Sequence, residues 1–189
     1  STPADEPSGG TVPSPARMRT MFARLERLLK SKRITRTYTR TNFAPDAPRD
    51  ARGLLADPLP SMVIRSGPVF RLLKEMSSDF PFNVVQFNRF ENHRQCQWHK
   101  GRRNVGDSLF AMIGDFVGGA LELVDSRKLT VKYRWYRYNG AIVAHGVSPF
   151  VGDRMTVVLY QEGPRMPLYN VVGDTAVPAS SEAASVEHS

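Results

Sequence analysis

Cysteine is almost absent from this chain of 189 residues, and Cys96 is the only one. An intramolecular disulfide is therefore impossible, and so is a zinc site built on cysteines. A single thiol suits a reducing compartment such as the cytoplasm. No apolar run is long enough to cross a bilayer as a helix. The first residues have neither the basic start nor the apolar core of a secretory signal. Acidic side chains are outnumbered, 18 Asp and Glu against 26 Lys and Arg, which leaves a formal net charge of +8. An excess of that size suits nucleic acid, an acidic carrier or an acidic small molecule as partner, and equally a plain solvated basic surface.

What is present points to one domain with trimmings. Hydrophobic residues make up 41% of the chain, enough for one ordinary core. Residues 1–17 are rich in Pro, Gly, Ser and Ala and read as disordered, and the small, polar residues 176–189 read as a disordered tail. The domain is expected over 18–175. Within 18–32, Met18, Met21, Phe22, Leu25, Leu28 and Leu29 recur at helical spacing, with Arg19, Arg24, Arg27 and Lys30 on the other face. A strand is expected over 34–39, a long loop over 42–60 and a short helix over 69–76. Strands then follow over 82–90, 108–113, 120–124, 130–138, 141–144 and 154–160, with Asn139-Gly140 as a hairpin turn. Helices first and short antiparallel strands afterwards predict an α+β, mainly β fold, a barrel or jelly roll buttressed by N-terminal helices.

Two histidines stand at places where chemistry is expected. His99 ends a strand-like stretch before a glycine-containing loop, and His145 follows the Asn-Gly turn. Imidazole suits iron, zinc, copper or nickel, and two histidines on neighbouring strands can converge on one ion. Arg154 lies nine residues after His145, with Thr156 on the same strand face, and its guanidinium suits a carboxylate gripped at both oxygens. The alternative for Arg154 is a salt bridge at the barrel rim. His93, in a polar run, reads as a hydrogen-bonded structural residue.

Several short motifs follow one another in a telling order. They are residues 80–88, then Trp98-His99-Lys100-Gly101, Asn104-Val105-Gly106 with Ser108, Gly114-Asp115-Phe116-Val117-Gly118-Gly119, and His145 with Pro149-Phe150 and Gly152-Asp153-Arg154. Together they resemble the iron(II)/2-oxoglutarate-dependent oxygenases, whose fold is a double-stranded β-helix. The resemblance covers roughly residues 80–160. It implies iron(II) held by His99 and His145, and 2-oxoglutarate held by Arg154 with help from Thr156. Asn88, Phe90 and Ser108 fall on cosubstrate-side positions. Phe90 stands where many relatives have a tyrosine, so one hydrogen bond is lost and the apolar wall is kept. Trp98 would be a wall of the pocket.

One departure from the pattern governs the expected reaction. The family motif is His-x-Asp, and this chain has His99-Lys100-Gly101, so the third protein ligand is missing. Three explanations compete. Halogenases of this superfamily carry Gly or Ala here, and chloride takes the vacated place, so a substrate radical is captured by halide. Arg102, Arg103 and Asn104 would then help to receive an anion or the substrate. Alternatively Asp107, or less well Glu122, supplies another carboxylate and the enzyme hydroxylates or demethylates, nucleic acid included. The third explanation is lost activity, natural or by an engineered Asp-to-Gly change. Halogenation ranks first because the rest of the constellation is intact.

The expected substrate is a small or carrier-bound molecule. Nucleic acid is the second choice. Over 130–138, a strand would put Lys132, Arg134, Tyr136 and Tyr138 on one face and Tyr133, Trp135 and Arg137 on the other. Basic and aromatic side chains so mixed would suit a single nucleic-acid strand, or simply a wet cationic face over an aromatic core face.

Overall fold

The computed structural model describes residues 12–35, 37–38, 59–91, 98–101, 103–163, 169–172 and 175–178. The loop expected over 42–60 lies outside these residues as far as position 58, and so do His93, Arg94, Cys96 and Arg102. Statements about the fold and its contacts refer to the described residues.

Helix α1 (Pro15–Lys30) begins three residues before the expected start at 18. Its signal is Ser14-Pro15. The Ser14 hydroxyl accepts a hydrogen bond from the Arg17 amide at 3.3 Å, and proline opens the first turn, where its missing N–H is not needed. Met21, Phe22, Leu25 and Leu29 form its buried stripe. Helix α2 (Gly67–Met76) buries Val69, Leu72, Leu73 and Met76 and packs beside α1. Both stripes belong to one apolar core with Val85, Phe87, Ala111, Ile113, Met155, Val157 and Leu159 of the sheet beneath.

The strands in chain order are β1 (Thr37–Tyr38), β2 (Leu59–Ile64), β3 (Val84–Glu91), β4 (Asn104–Ile113), β5 (Phe116–Gly118), β6 (Leu121–Leu123), β7 (Lys128–Leu129), β8 (Tyr136–Tyr138), β9 (His145–Val147), β10 (Phe150–Glu162), β11 (Tyr169–Val172) and β12 (Thr175–Pro178). The large sheet runs β1-β2-β3-β10-β4-β8, with β5 paired to the start of β10, and the small sheet runs β7-β6-β9. Strands β11 and β12 form a separate ribbon, which takes in residues 176–178 of the expected disordered tail. Every pairing is antiparallel.

Strand β10 is the axis of the fold, and its two-residue period divides the molecule. Met155, Val157 and Leu159 face the helices. Arg154, Thr156 and Val158 alternate with them and face the other way. There a second core gathers Phe90, Phe110, Met112, Phe116 and Tyr138 with Leu121, Leu123 and Leu129 of the small sheet. Two antiparallel sheets face to face, with helices on the outer side of one, make this a mainly β, cupin-like double-stranded β-helix. Phe87 sits fully buried under the helices. Phe87→Ala is expected to lower the unfolding free energy by about 3–5 kcal/mol, measurable by urea denaturation.

Three strand expectations need correction. Residues 130–135 form no strand, because Tyr133 adopts φ 57 and its amide donates to the Met112 carbonyl at 2.9 Å. Only the last three residues of that stretch pair, as β8. Asn139-Gly140 does not close a hairpin. The Asn139 carbonyl accepts from the amides of Ile142 and Val143, and its side chain accepts from the Ala141 amide. This is a single helical turn, and it carries the chain from the large sheet to the small one. The strand expected over 141–144 is that turn, and β9 starts at His145. Strands β2, β7 and β11 lie where no strand was expected.

Candidate active site

Two backbone hydrogen bonds bring the histidines together. The His99 amide donates to the His145 carbonyl at 2.9 Å, and the His145 amide donates to the His99 carbonyl at 3.0 Å. Residues directly opposite in an antiparallel rung point to the same face. The two imidazole centroids are accordingly 4.2 Å apart, with the rings inclined at 64°. Nδ1 of His145 is 2.9 Å from the Val143 carbonyl. A carbonyl only accepts, so Nδ1 carries the proton and Nε2 presents its lone pair. His145 is buried beside the Tyr138 ring, 5.2 Å between centroids, while His99 is half-buried.

Glycines leave room for these rings. A Cβ on Gly140 would lie 3.4 Å from Cε1 of His145 and 3.1 Å from the Tyr138 ring. Gly140 stands in the helical turn with an ordinary φ, not the positive φ of a hairpin turn, and its lack of a side chain gives clearance. Gly101 donates its N–H to the Gly140 carbonyl at 2.7 Å, which holds the loop after His99 against the turn before His145.

Arg154 is not at a rim. It is 1% exposed and is the largest of the fully buried side chains. Nε donates to the Gly119 carbonyl at 3.0 Å. The guanidinium carbon lies 5.8 Å from the Phe90 ring, 5.6 Å from Phe116 and 5.5 Å from Phe150. Gly119 has φ 68, and a Cβ there would strike Arg154 at 2.9 Å, so both its backbone and its contact call for glycine. Phe90 lies opposite Arg154 in the β3–β10 register and forms one wall of this cage. Thr156, buried, accepts from Nδ2 of Asn88 at 3.1 Å, its cross-strand partner. Oδ1 of Asn88 accepts in turn from Gln86, whose amide also reaches Ser61. Ser108 is fully buried and accepts from Nδ2 of Asn104 at 3.1 Å.

Other expected residues lie elsewhere. Trp98 does not wall the imidazole side. Its indole packs over Gly146, whose Cβ would meet it at 3.0 Å, on the face opposite His99 and His145. There it lines an outer cleft of about 240 Å³ with Glu122, Arg127 and Lys128. Arg103 turns to Glu162 at 3.4 Å, and Arg65 and Arg103 hold the Glu162 carboxyl below the usual carboxylate range. Asp107 is not a ligand beside the histidines, because it meets Arg137 at 2.7 Å and alternation turns it away from Ser108. Glu122 lies opposite Gly146 in register and pairs with Lys128, again on the outer face. Among the described residues no third His, Cys, Asp or Glu joins the pair.

The mixed basic and aromatic stretch is used within the fold. Trp135 donates to the Met76 carbonyl and packs on Phe22. The Tyr133 hydroxyl accepts from the Gly114 amide and donates to Glu26. Lys132 donates to the carbonyls of Gly114 and Phe116. These contacts tie the stretch to α1, α2 and the β4–β5 turn, and they replace the two-faced strand expected there.

The residues present fit a borderline divalent metal such as iron(II). Two imidazoles share one face, and the His145 tautomer aims a lone pair away from Val143. The aromatic cradle suits the Arg154 cation, and that guanidinium, held in a dry, apolar setting, fits an anionic ligand.

Fold and site together define a double-stranded β-helix in which two histidines face each other. Among solved structures, the chain is similar to NgTET1 in complex with 5mC DNA, at 22% identity and TM-score 0.40, covering 46% of this chain and 36% of that one. It is similar to an oxidoreductase of the 2OG-Fe(II) oxygenase family from Burkholderia pseudomallei, at 16% identity and TM-score 0.36, covering 49% and 50%. It is also similar to OsALKBH1, at 14% identity and TM-score 0.48, covering 77% and 93%. The chain thus spans no more than half the length of the first two. No protein-family model and no curated protein matches the chain.

Proposed function

We propose that this protein is a non-haem iron(II)/2-oxoglutarate-dependent oxidoreductase acting on an unactivated C–H bond of a small or carrier-bound substrate. We further propose that chloride takes the place of the third protein ligand, so that the product is halogenated. The observation that carries the reading is the pair of facing imidazoles, 4.2 Å between centroids, with a glycine at position 101. His99 and His145 would hold the iron through ring nitrogens, His145 through Nε2. Arg154 would pair with the distal carboxylate of 2-oxoglutarate, inside a cage that excludes water and strengthens the charge interaction. Thr156 and Asn88, already joined by a hydrogen bond, would extend the polar side of that pocket. Iron(II) held there would supply oxygen activation for the oxidation of a C–H bond.

Chloride is favoured over a protein carboxylate because Asp107 and Glu122 both turn outward, one to Arg137 and one to Lys128. The test is succinate release from 2-oxoglutarate with iron(II), with and without chloride, followed by mass analysis of the product. Chlorinated product from the chain as it stands, and only hydroxylated product from Gly101→Asp, is the expected result. Hydroxylated product from both would remove halogenation and keep the oxidoreductase. Absence of succinate under any halide would sink the enzyme reading. The net charge of +8 makes DNA and RNA oligonucleotides worthwhile substrates in the same assay, and binding through phosphates would weaken steeply with salt.

A further inference from the structure

Helix α1 carries more positive charge than its own stability favours. From Pro15 to Arg33 there are seven Lys and Arg against one acid, Glu26, which leaves +6 out of a formal +8 for the whole chain. The first turn holds Arg17 and no acid, although a cation there opposes the helix dipole. Arg24 and Arg27, three residues apart, repel each other. Elsewhere cations are answered by acids, Arg65 and Arg103 by Glu162, Arg89 by Asp153 and Arg137 by Asp107. Among the described residues Arg17, Arg24 and Arg27 have no such partner, and neither has Arg71 of α2. All four are exposed, and they lie together. Arg17, Arg24 and Arg27 are spaced by seven and three residues, which puts them along one flank of α1 about 15 Å long. Arg24 and Arg71 border one cleft of about 220 Å³ between the helices, with Pro68, Leu72 and Glu75.

We propose that this flank of α1, with Arg71, docks the phosphate backbone of a nucleic-acid duplex. The inference goes beyond the iron(II) reading and does not rest on it, because α1 packs on the face of the large sheet opposite Arg154 and Thr156. The surroundings of the arginines select the occupant. An interfacial helix lays an apolar face into lipid, whereas every Met, Phe and Leu of α1 packs into the core. A single strand is held by rings on which its bases stack, and the one ring of α1, Phe22, is buried. An acidic protein would want an apolar centre within the charge, and the side chains between these arginines include Thr20 and Ser31. A duplex asks only for spaced cations. It presents one phosphate charge per about 1.7 Å of axis, so several fall within reach of the flank.

The test uses metal-free protein in chelator, so the histidine pair plays no part. A fluorescent DNA duplex of two helical turns is titrated and followed by anisotropy. Near physiological salt the dissociation constant is expected at about 1–100 μM, with a logarithmic salt slope of about −3 to −4 for four phosphate contacts. The quadruple variant Arg17→Gln, Arg24→Gln, Arg27→Gln and Arg71→Gln should weaken binding about tenfold or more at low salt and flatten that slope. Its melting temperature should hold or rise, because the repulsion and the conflict with the dipole are gone. A control removes the same charge elsewhere, by Arg65→Gln, Arg103→Gln, Arg127→Gln and Lys128→Gln, and should bind nearly as the parent does. Equal loss in the two quadruple variants assigns the binding to net charge alone and overturns the proposal. So does tighter binding of the parent, at equal salt, to phosphatidylserine vesicles or to polyglutamate than to the duplex. Absence of duplex binding at low salt overturns it as well, and leaves the two-histidine reading untouched.

Discussion

His145→Ala is expected to lose iron(II) affinity by more than about a hundredfold, beyond what removal of a ligand's hydrogen-bond partner costs. His99→Ala is expected to do the same, since on the proposed reading each imidazole would be half of the protein's hold on the ion. Both variants keep the fold, because the rung between positions 99 and 145 is made of backbone N–H and carbonyl groups, which alanine retains. Isothermal titration with iron(II) or cobalt(II), with circular dichroism as the fold control, measures both quantities. A third variant sharpens the result. His145→Gln keeps a polar side chain but lacks the ring that the Val143 carbonyl orients through Nδ1, so it is expected to bind metal no better than His145→Ala. If the two imidazoles were a structural stack, all three variants would lose stability, and the parent chain would show no tight metal binding to lose.

The parts of this site that were legible in the sequence are those whose signal lies in residue type. Helix α1 announced itself through Met21, Phe22, Leu25 and Leu29, and α2 through Val69, Leu72, Leu73 and Met76, because a helix needs only a local period to find its buried face. His99, His145 and Arg154 stood out because imidazole and guanidinium are chemically distinctive side chains and fall in short motifs with a recognisable order. The failures came where long-range pairing decides the local conformation. Residues 128–129 carried no strand signal, yet they pair with β6. Residues 130–138 alternated well enough for a strand, yet Tyr133 turns into the left-handed region so that Trp135 can reach Met76 and Phe22. Trp98 beside His99 invited a place in the pocket, but adjacent residues in an extended chain face opposite sides. Asp107 failed as a ligand for the same reason, one position from buried Ser108. That Gly101 has an ordinary φ and borders Asn104, whose Nδ2 would lie 2.9 Å from a Cβ at 101, carried no readable sign, because a glycine crowded by a neighbour looks the same in sequence as one kept for its backbone.

Arg154→Met separates binding from stability more sharply than any other change. Truncating one member of a buried, hydrogen-bonded charge pair costs about 2–5 kcal/mol, so the dissociation constant for 2-oxoglutarate is expected to rise by between about 30-fold and a few thousandfold. Metal affinity at His99 and His145 is expected to stay as it was. The stability change has the opposite sign from that of a structural ion pair. A guanidinium that is 1% exposed pays a desolvation penalty of several kcal/mol, which its contacts offset, three ring faces at about 0.5–2 kcal/mol each and the Gly119 carbonyl among them. Methionine fills nearly the same volume, carries no charge and packs well against Phe90, Phe116 and Phe150. The variant should therefore melt at or above the temperature of the parent chain when no ligand is present. Adding 2-oxoglutarate with metal should raise the melting temperature of the parent and leave that of Arg154→Met unmoved, since a ligand stabilises only the folded protein that binds it. A structural arginine at this position would instead make Arg154→Met less stable by about 3–5 kcal/mol, as when a buried charge loses its partner, and the ligand-induced shift would survive.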